Sequence, residues 1–199
     1  DLSGRISQTV YPDGAVAQSA YNARGQLERQ IDPDGVVTLF GYNARGEQEI
    51  VAVDWDRNGT IDFGGADHIT RASTAVGQRT EGSTAFTVER TTTERWQADG
   101  SDSPTIVSVV ERSTDGSREW TTMAGQTTSS QTTIDGVGGR TTTVTNPDGS
   151  QLVRAYLGDR LISETGRMSD GTQVLGNIYS YDPHGRLSAT TDARDGTSR

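Results

Sequence analysis

The chain has 199 residues, a formal net charge of −9 and an apolar fraction of only 31%, below that of an ordinary globular domain. Its cations are all arginines, and the acidic balance argues against a nucleic-acid partner or an anionic membrane surface. The chain has no cysteine, which excludes disulfides and thiol chemistry, and no apolar run approaches the ~20 residues of a transmembrane helix.

The first part of the chain contains two motifs that repeat at the same interval. Tyr-Asn-Ala-Arg-Gly, followed by Gln or Glu, occupies residues 21–26 and returns 21 residues later at 42–47. Pro-Asp-Gly occupies residues 12–14 and 33–35, again 21 residues apart. Proline presets φ near −65° and glycine accepts a positive φ, so each motif predicts a tight turn between two extended segments.

The segments between these turns have the alternation of strands. Leu27, Arg29 and Ile31 alternate with more polar residues, as expected for a strand with one face buried. One unit is therefore strand, turn, strand, turn. The sequence predicts an all-β fold of repetitive antiparallel β-hairpins that form a continuous sheet.

An acidic segment at residues 54–67 follows the second motif. It matches a calcium loop, in which alternate residues supply oxygen ligands and a glycine at the sixth position allows the bend. Gly65 stands where a bidentate glutamate is expected at the twelfth position, and Asp67 would substitute for it. Flanking helices are not evident. The predicted calcium ligands are Asp54, Asp56, Asn58, Thr60, Asp62 and Asp67.

Two other interpretations of this segment are open. It could be a hairpin turn with solvated carboxylates and no metal. Asn58-Gly59-Thr60 is also a formal glycosylation sequon, which we interpret as coincidental.

The middle of the chain, residues 70–145, is rich in Thr and Ser. Threonine suits a strand because its branched Cβ fits the pleat. We predict degenerate strands of the same sheet, with turns at sites such as Asp99-Gly100 and Asp115-Gly116. A glycosylated Ser/Thr-rich stalk is the alternative. The sequence thus divides into hairpins at 1–69, degenerate repeats at 70–145 and further hairpins at 146–199.

The motif Tyr-Asn/Asp-x-x-Gly, followed after some ten residues by a Pro-Asp-Gly turn, resembles the YD repeat of RHS proteins, bacterial wall-associated proteins and the teneurin shell. The resemblance covers about residues 1–50 and 146–199, and it implies a β-sheet that spirals into a shell around a toxin or other cargo. It implies that the tyrosines stack as packing residues. The repeat-packing residues would be Tyr21, Gly25, Tyr42, Gly46, Tyr181 and Gly185.

Catalytic patterns are poorly represented. The chain has two histidines, His68 and His184, and neither belongs to a known catalytic motif. Trp55, Trp96 and Trp120 could form a sugar-stacking platform, but packing within the sheet is the simpler interpretation. We expect no enzyme activity.

The favoured hypothesis is a secreted or cell-surface scaffold, stiffened by calcium and cut from a longer protein. Its partners would be other repeats or copies of itself, joined through sheet edges into a shell or fibre. A polysaccharide or cell-surface partner is also considered. The alternatives are a carbohydrate-binding or carbohydrate-processing module and a shell fragment that encloses a C-terminal toxin.

Overall fold

The computed structural model describes residues 3–97, 102–192 and 196–198. Within these residues the chain forms strands and no helix, so no helix is available that could cross a membrane. The predicted turn at Asp99-Gly100 lies outside the described residues. The strands are β1 (Gln8–Val10), β2 (Val16–Tyr21), β3 (Leu27–Ile31), β4 (Val37–Tyr42), β5 (Gln48–Val53), β6 (His68–Glu81), β7 (Thr84–Trp96), β8 (Thr105–Ser113), β9 (Arg118–Met123), β10 (Gln126–Ile134), β11 (Gly139–Thr145), β12 (Gln151–Leu157), β13 (Arg160–Arg167), β14 (Gln173–Tyr181), β15 (Leu187–Asp192) and β16 (Gly196–Ser198).

The strands form one sheet in which their order is the order of the sequence, from β1 to β16. Neighbouring strands pair antiparallel, for example β2 with β3 and β4 with β5. Such a meander needs only short connections, because each strand pairs with the next strand along the chain. The predicted all-β fold of repeated antiparallel hairpins in a continuous sheet is confirmed.

The predicted turns close with one recurring pair of backbone hydrogen bonds. At the first tyrosine motif the amide of Gly25 donates to the carbonyl of Asn22 (2.9 Å), and the amide of Asn22 donates to the carbonyl of Gln26 (2.9 Å). Gly25 has φ of 82°, which an L-residue with a Cβ adopts only at a cost. The same pair of bonds closes the turns that begin at Tyr11, Asp32, Asn43, Asn146, Met168 and Asp182.

The tyrosine of each motif lies at a β-bulge. The pairing register shifts between Ala20 and Tyr21 where β2 meets β3, and at Tyr42 and Tyr181 where β4 and β14 meet their next strands. A bulge leaves one extra residue on its strand and re-aims the side chain. Three motifs therefore place their tyrosines in the same local geometry.

The chain divides into two compact units. Unit 1 comprises residues 1–74 and 91–108, and unit 2 comprises residues 75–90 and 109–199. The boundaries predicted near residues 69 and 145 concern the character of the repeats and stay predictions.

Unit 1 has a small hydrophobic core. Buried side chains of β4, β5, β6 and β7 form it, and half-buried apolar side chains pack against it. The low apolar content of the chain is consistent with a core of this size, because a sheet buries only alternate residues of each strand. The buried residues are Leu39, Ala52, Ile69 and Trp96, and Val37, Ile50, Ile61 and Phe63 surround them.

Unit 2 combines a few buried apolar side chains with polar contacts. Val88 and Trp120 are fully buried, and the ring of Phe86 lies 5.5 Å from that of Trp120. The threonine-rich segment forms strands of the sheet and not an extended stalk. Its threonines pair across strands, with Thr122 Oγ1 2.8 Å from Thr127 Oγ1.

Candidate metal site and repeat corners

The acidic segment of unit 1 is the connection between β5 and β6. Its first residue is fixed to the sheet, since the Asp54 amide donates to the carbonyl of Val37 (3.0 Å). Its centre is held by apolar contacts, because Ile61 and Phe63 pack against the core and the Phe63 ring meets that of Trp96 at 4.8 Å. The polar residues are therefore presented from an anchored loop.

Asp54 organises the first half of the loop. The residue is 3% exposed, and its carboxylate accepts the amides of Asn58 (3.1 Å) and Gly59 (3.0 Å). Arg57 and Gly59 have φ of 59° and 78°, and these positive values turn successive amides inward. Glycine accepts a positive φ at position 59 without strain, whereas Arg57 adopts it at a cost.

Asp67 closes the second half of the loop. It is 1% exposed, and its carboxylate accepts the amides of Trp55 (3.1 Å) and Asp62 (3.0 Å). One buried carboxylate therefore joins the beginning of the loop to its end. The turn between Asp62 and Gly65, closed by an amide-to-carbonyl bond of 3.1 Å, brings Asp67 back toward Asp54.

Asn58 links the more exposed predicted ligands. Its Nδ2 donates to Oδ2 of Asp56 (3.0 Å) and of Asp62 (2.6 Å). Its Oδ1 accepts the Thr60 amide (2.7 Å) and the Thr60 hydroxyl (2.5 Å). Thr60 therefore contacts the asparagine through its amide and hydroxyl.

Three of the six predicted ligands converge. Carboxylate oxygens of Asp54, Asp56 and Asp67 lie within 4.8 Å of one another. Two of these carboxylates are buried, and among residues 3–97 and 102–192 neither Asp54 nor Asp67 forms an ion pair with an arginine. Buried charges are usually paired or bound to a metal. Carboxylates suit a hard cation such as calcium, and the flanking strands distinguish the loop from an EF-hand.

The tyrosines of the three motifs tie neighbouring parts of the chain together. The hydroxyl of Tyr21 donates to the carbonyl of Ile6 (2.9 Å), that of Tyr42 to Leu27 (2.8 Å) and that of Tyr181 to Leu161 (2.8 Å). Each bond reaches back 15 or 20 residues, to a carbonyl at or near the start of the preceding strand.

Arginines lie over two of these three rings, those of Tyr21 and Tyr181. Among the described residues no two tyrosine rings stack, so the direct ladder implied by the family resemblance is not observed. Arg5 lies 4.5 Å from the centre of the Tyr21 ring, and Arg160 lies 5.6 Å from that of Tyr181. The intervening strand, β3 in the first case, separates successive tyrosines.

The motif glycines leave space for a side chain of the preceding unit. A Cβ on Gly46 would meet Nε2 of Gln26 at 3.2 Å, and that nitrogen donates to the Gly46 carbonyl (2.8 Å). A Cβ on Gly25 would meet the Arg5 guanidinium at 3.0 Å, and one on Gly185 would collide with Arg160. The positive φ of 82°, 88° and 84° at Gly25, Gly46 and Gly185 is what favours glycine here, because the Gln and Arg side chains are flexible and could move away from a Cβ.

The residue after each tyrosine stabilises the corner with its side chain. Asn22 Oδ1 accepts the amides of Arg24 (2.9 Å) and Gln26 (3.0 Å), and Asn43 repeats this pattern. Asp182 does the same in the third motif, where the Arg186 amide lowers the pKa of its carboxyl group. Asn and Asp suit this place because their side chains mimic a turn of the backbone.

A buried ion-pair cluster in unit 2 was not predicted from the sequence. Glu111, whose side chain is 5% exposed, contacts both Arg79 and Arg90, and the Arg90 guanidinium approaches to 2.7 Å. Arg79 also lies 4.7 Å from the centre of the Trp120 ring. The sequence carries no local signal for it, because Arg79, Arg90 and Glu111 lie on three separate strands, β6, β7 and β8.

The three tryptophans do not form an exposed platform together. Trp96 is 4% and Trp120 is 1% exposed, whereas Trp55 is 67% exposed. The Trp55 ring meets the exposed His68 ring at 5.8 Å. Packing within the sheet, the simpler interpretation, therefore holds for Trp96 and Trp120.

Comparison with known proteins supports the repeat motif. Residues 21–61 match the family model described as RHS Repeat, so this part of the chain carries the repeat that the motifs resemble. The matched range includes both clean tyrosine motifs and the first half of the acidic loop. No curated protein matches the sequence.

Solved structures match this chain at low similarity. One is the Photorhabdus luminescens Tc holotoxin pore, at 14% identity and a TM-score of 0.36. Another is the TcdB2-TccC3-Cdc42 structure, at 15% identity and a TM-score of 0.35. Each match covers 100% of this chain and 12% of the other, so this chain spans a small part of those proteins. Similarity at this level does not carry over a function.

Proposed function

We propose that this chain, which carries an RHS repeat, is a structural segment of an extracellular or cell-surface shell or scaffold and not an enzyme. The observation that carries the proposal is a recurring tie between neighbouring strands of the sheet. In each of the three motifs a bulged tyrosine donates its hydroxyl to a backbone carbonyl at or near the start of the preceding strand. Ties that repeat along a sheet serve to hold successive units together.

The proposal is tested by pulling a single chain from its two ends in a force spectrometer. A scaffold of tied hairpins should unravel in successive steps, because each unit contacts mainly its neighbours. A unit of 21 residues releases about 70 Å of extended chain. Extension at negligible force, without steps, would contradict the role of a mechanical scaffold.

We further propose that the loop at residues 54–67 binds calcium and stiffens unit 1. The converging carboxylates of Asp54, Asp56 and Asp67 support this, as do the burial of two of them and their lack of arginine partners within the described residues. Asp62 and the Asn58 side-chain oxygen would complete an oxygen ligand set from the more exposed side. Calcium would offset the repulsion between these carboxylates, which the folded loop holds close together.

The calcium proposal is tested by thermal melting of the full chain with added calcium and with a chelator. A site that binds only the folded loop should raise the melting temperature by several degrees, since saturation at 100 times Kd contributes ~2.7 kcal/mol. Asp56→Asn, at an exposed position, should reduce this calcium-dependent rise. Asp34→Asn, in an exposed turn outside the loop, is the matched control. Identical melting curves with calcium and with chelator would exclude the site.

A further inference from the structure

Asn58 differs from the other asparagines of the chain in the residue that follows it. Asn22 and Asn43 precede alanine, Asn146 precedes proline and Asn177 precedes isoleucine, whereas Asn58 precedes glycine. An asparagine side chain is converted to an acid when the next backbone nitrogen attacks its amide carbon and forms a cyclic imide. Glycine favours this reaction because it lacks the Cβ that hinders the approach.

The loop surrounds this Asn-Gly pair with groups that assist the attack of the Gly59 nitrogen. The attacking nitrogen of Gly59 donates its hydrogen to Oδ2 of Asp54 (3.0 Å), so an acceptor for the proton is in place. The amide oxygen of Asn58 accepts the amide (2.7 Å) and the hydroxyl (2.5 Å) of Thr60. Two donors on one carbonyl oxygen stabilise the negative charge that develops there on attack.

We propose that Asn58 is a self-modification site, at which the folded loop promotes deamidation through a succinimide. The Gly59 nitrogen forms a bond to the Asn58 side-chain carbonyl carbon and loses its proton to Asp54. The bond from that carbon to Nδ2 then breaks, and the nitrogen leaves as ammonia with a proton returned by solvent. Water opens the ring to aspartate or isoaspartate at position 58. No oxidant or reductant is needed.

The modification changes the charge of the loop at its centre. In the unmodified chain the Asn58 amide donates to Asp56 and Asp62 and so bridges two carboxylates. In the product, a further carboxylate at position 58 replaces the amide donor and lies between the carboxylates of Asp56 and Asp62. The reaction therefore converts a hydrogen-bonded loop into one with stronger mutual repulsion, independently of whether the loop binds calcium.

The test compares the folded full chain with the same chain unfolded in urea, both at neutral pH with chelator present. Trypsin cleaves after Arg57 and Arg71, and mass spectrometry of the 58–71 peptide gives the fraction converted over time. Asn22 and Asn43, both followed by alanine, are internal controls. We expect Asn58 to convert about tenfold faster in the folded chain than in urea. An equal or slower rate in the folded chain would overturn the proposal.

A second variant separates assistance by the fold from the intrinsic reactivity of Asn-Gly. Thr60→Val keeps the branched shape of an exposed residue but removes the hydroxyl donor to Asn58 Oδ1. We expect a several-fold slower conversion of Asn58 in the folded variant and no change in urea. Circular dichroism confirms that the variant is folded. An unchanged rate in the folded variant would refute the assigned role of the loop.

Discussion

The tyrosine hydroxyl forms the same kind of hydrogen bond in all three tyrosine motifs. Tyr42 donates to the carbonyl of Leu27 at 2.8 Å, and the bulge at Gly41 and Tyr42 aims the side chain at that carbonyl. A hydrogen bond of this kind contributes ~0.5–1.5 kcal/mol to stability, and its loss leaves a backbone carbonyl without this partner.

We therefore predict that Tyr42→Phe lowers the free energy of unfolding by about 1 kcal/mol. Tyr11→Phe is the matched control, because no hydrogen bond of the Tyr11 hydroxyl is found within the described residues and the side chain is 44% exposed. Urea denaturation of both variants measures the difference. Equal stabilities of the two variants would show that the hydroxyl tie contributes nothing.

The sequence alone predicts some of these single-residue features and not others. The turns at Pro-Asp-Gly and Asn-Ala-Arg-Gly were predictable, because proline and glycine restrict the backbone locally. The hydrogen-bond partner of the Tyr42 hydroxyl was not predictable, since it depends on a bulge and on the register of β3 against β4. A stack of tyrosines was expected, but an intervening strand separates the tyrosine rings. Arg5 lies over the ring of Tyr21 and Arg160 over that of Tyr181.

At the scale of strands, Arg79 of β6 and Arg90 of β7 both form ion pairs with Glu111 of β8. Burial alone raises the pKa of Glu111, but the hydrogen bonds and charges of Arg90 and Arg79 outweigh it and hold the pKa below its ordinary value. Because the pKa of Glu111 is lower in the folded chain, its contribution to stability is fully present above the unfolded value of 4.5. The contribution is lost as the pH falls through the lower folded value.

We predict that Glu111→Gln destabilises the chain by about 2 kcal/mol at neutral pH, less than a fully buried pair would, because both arginines are partly exposed. The difference from the parent should shrink as the pH falls below 4.5. Urea denaturation at several pH values measures it. Glu119→Gln is the control, since Glu119 pairs with Arg112 on the surface, and it should change little. A difference that does not vary with pH would contradict the assigned ion pair.

In the candidate metal site, too, the sequence predicts contacts between residues close in the chain better than contacts that depend on the tertiary fold. The alternation of acids in residues 54–62 predicted a loop that gathers oxygen atoms, and Asp54 and Asp56 do lie together. Spacing in the sequence could only suggest Asp67, whose approach depends on the turn at Asp62 and Gly65. The cluster around Glu111 had no local signal, because its members come from separate strands brought together by pairing.

At the scale of the whole molecule, the order of the sheet leaves β1 as an edge strand. Ser7 accepts the Ser19 amide and the Tyr11 amide donates to Ala15, each at 2.9 Å. Hydrogen-bonded and non-hydrogen-bonded pairs alternate in an antiparallel ladder, so the amides of Gln8 and Val10 point away from β2. Unpaired amides on an edge are a template for another strand, and we propose that other repeats or other copies of the chain pair there.

We predict that the chain self-associates with increasing concentration and that Gln8→Pro weakens this association about fivefold to tenfold. Proline removes an outward amide worth ~1 kcal/mol but leaves the bonds from β1 to β2 in place. Gln8→Ala keeps the amide and should associate like the parent. Sedimentation velocity measures association, and thermal melting checks that the proline variant keeps its stability. The edge has no such role if the parent stays monomeric at high concentration, or if the proline variant associates as strongly as the alanine variant.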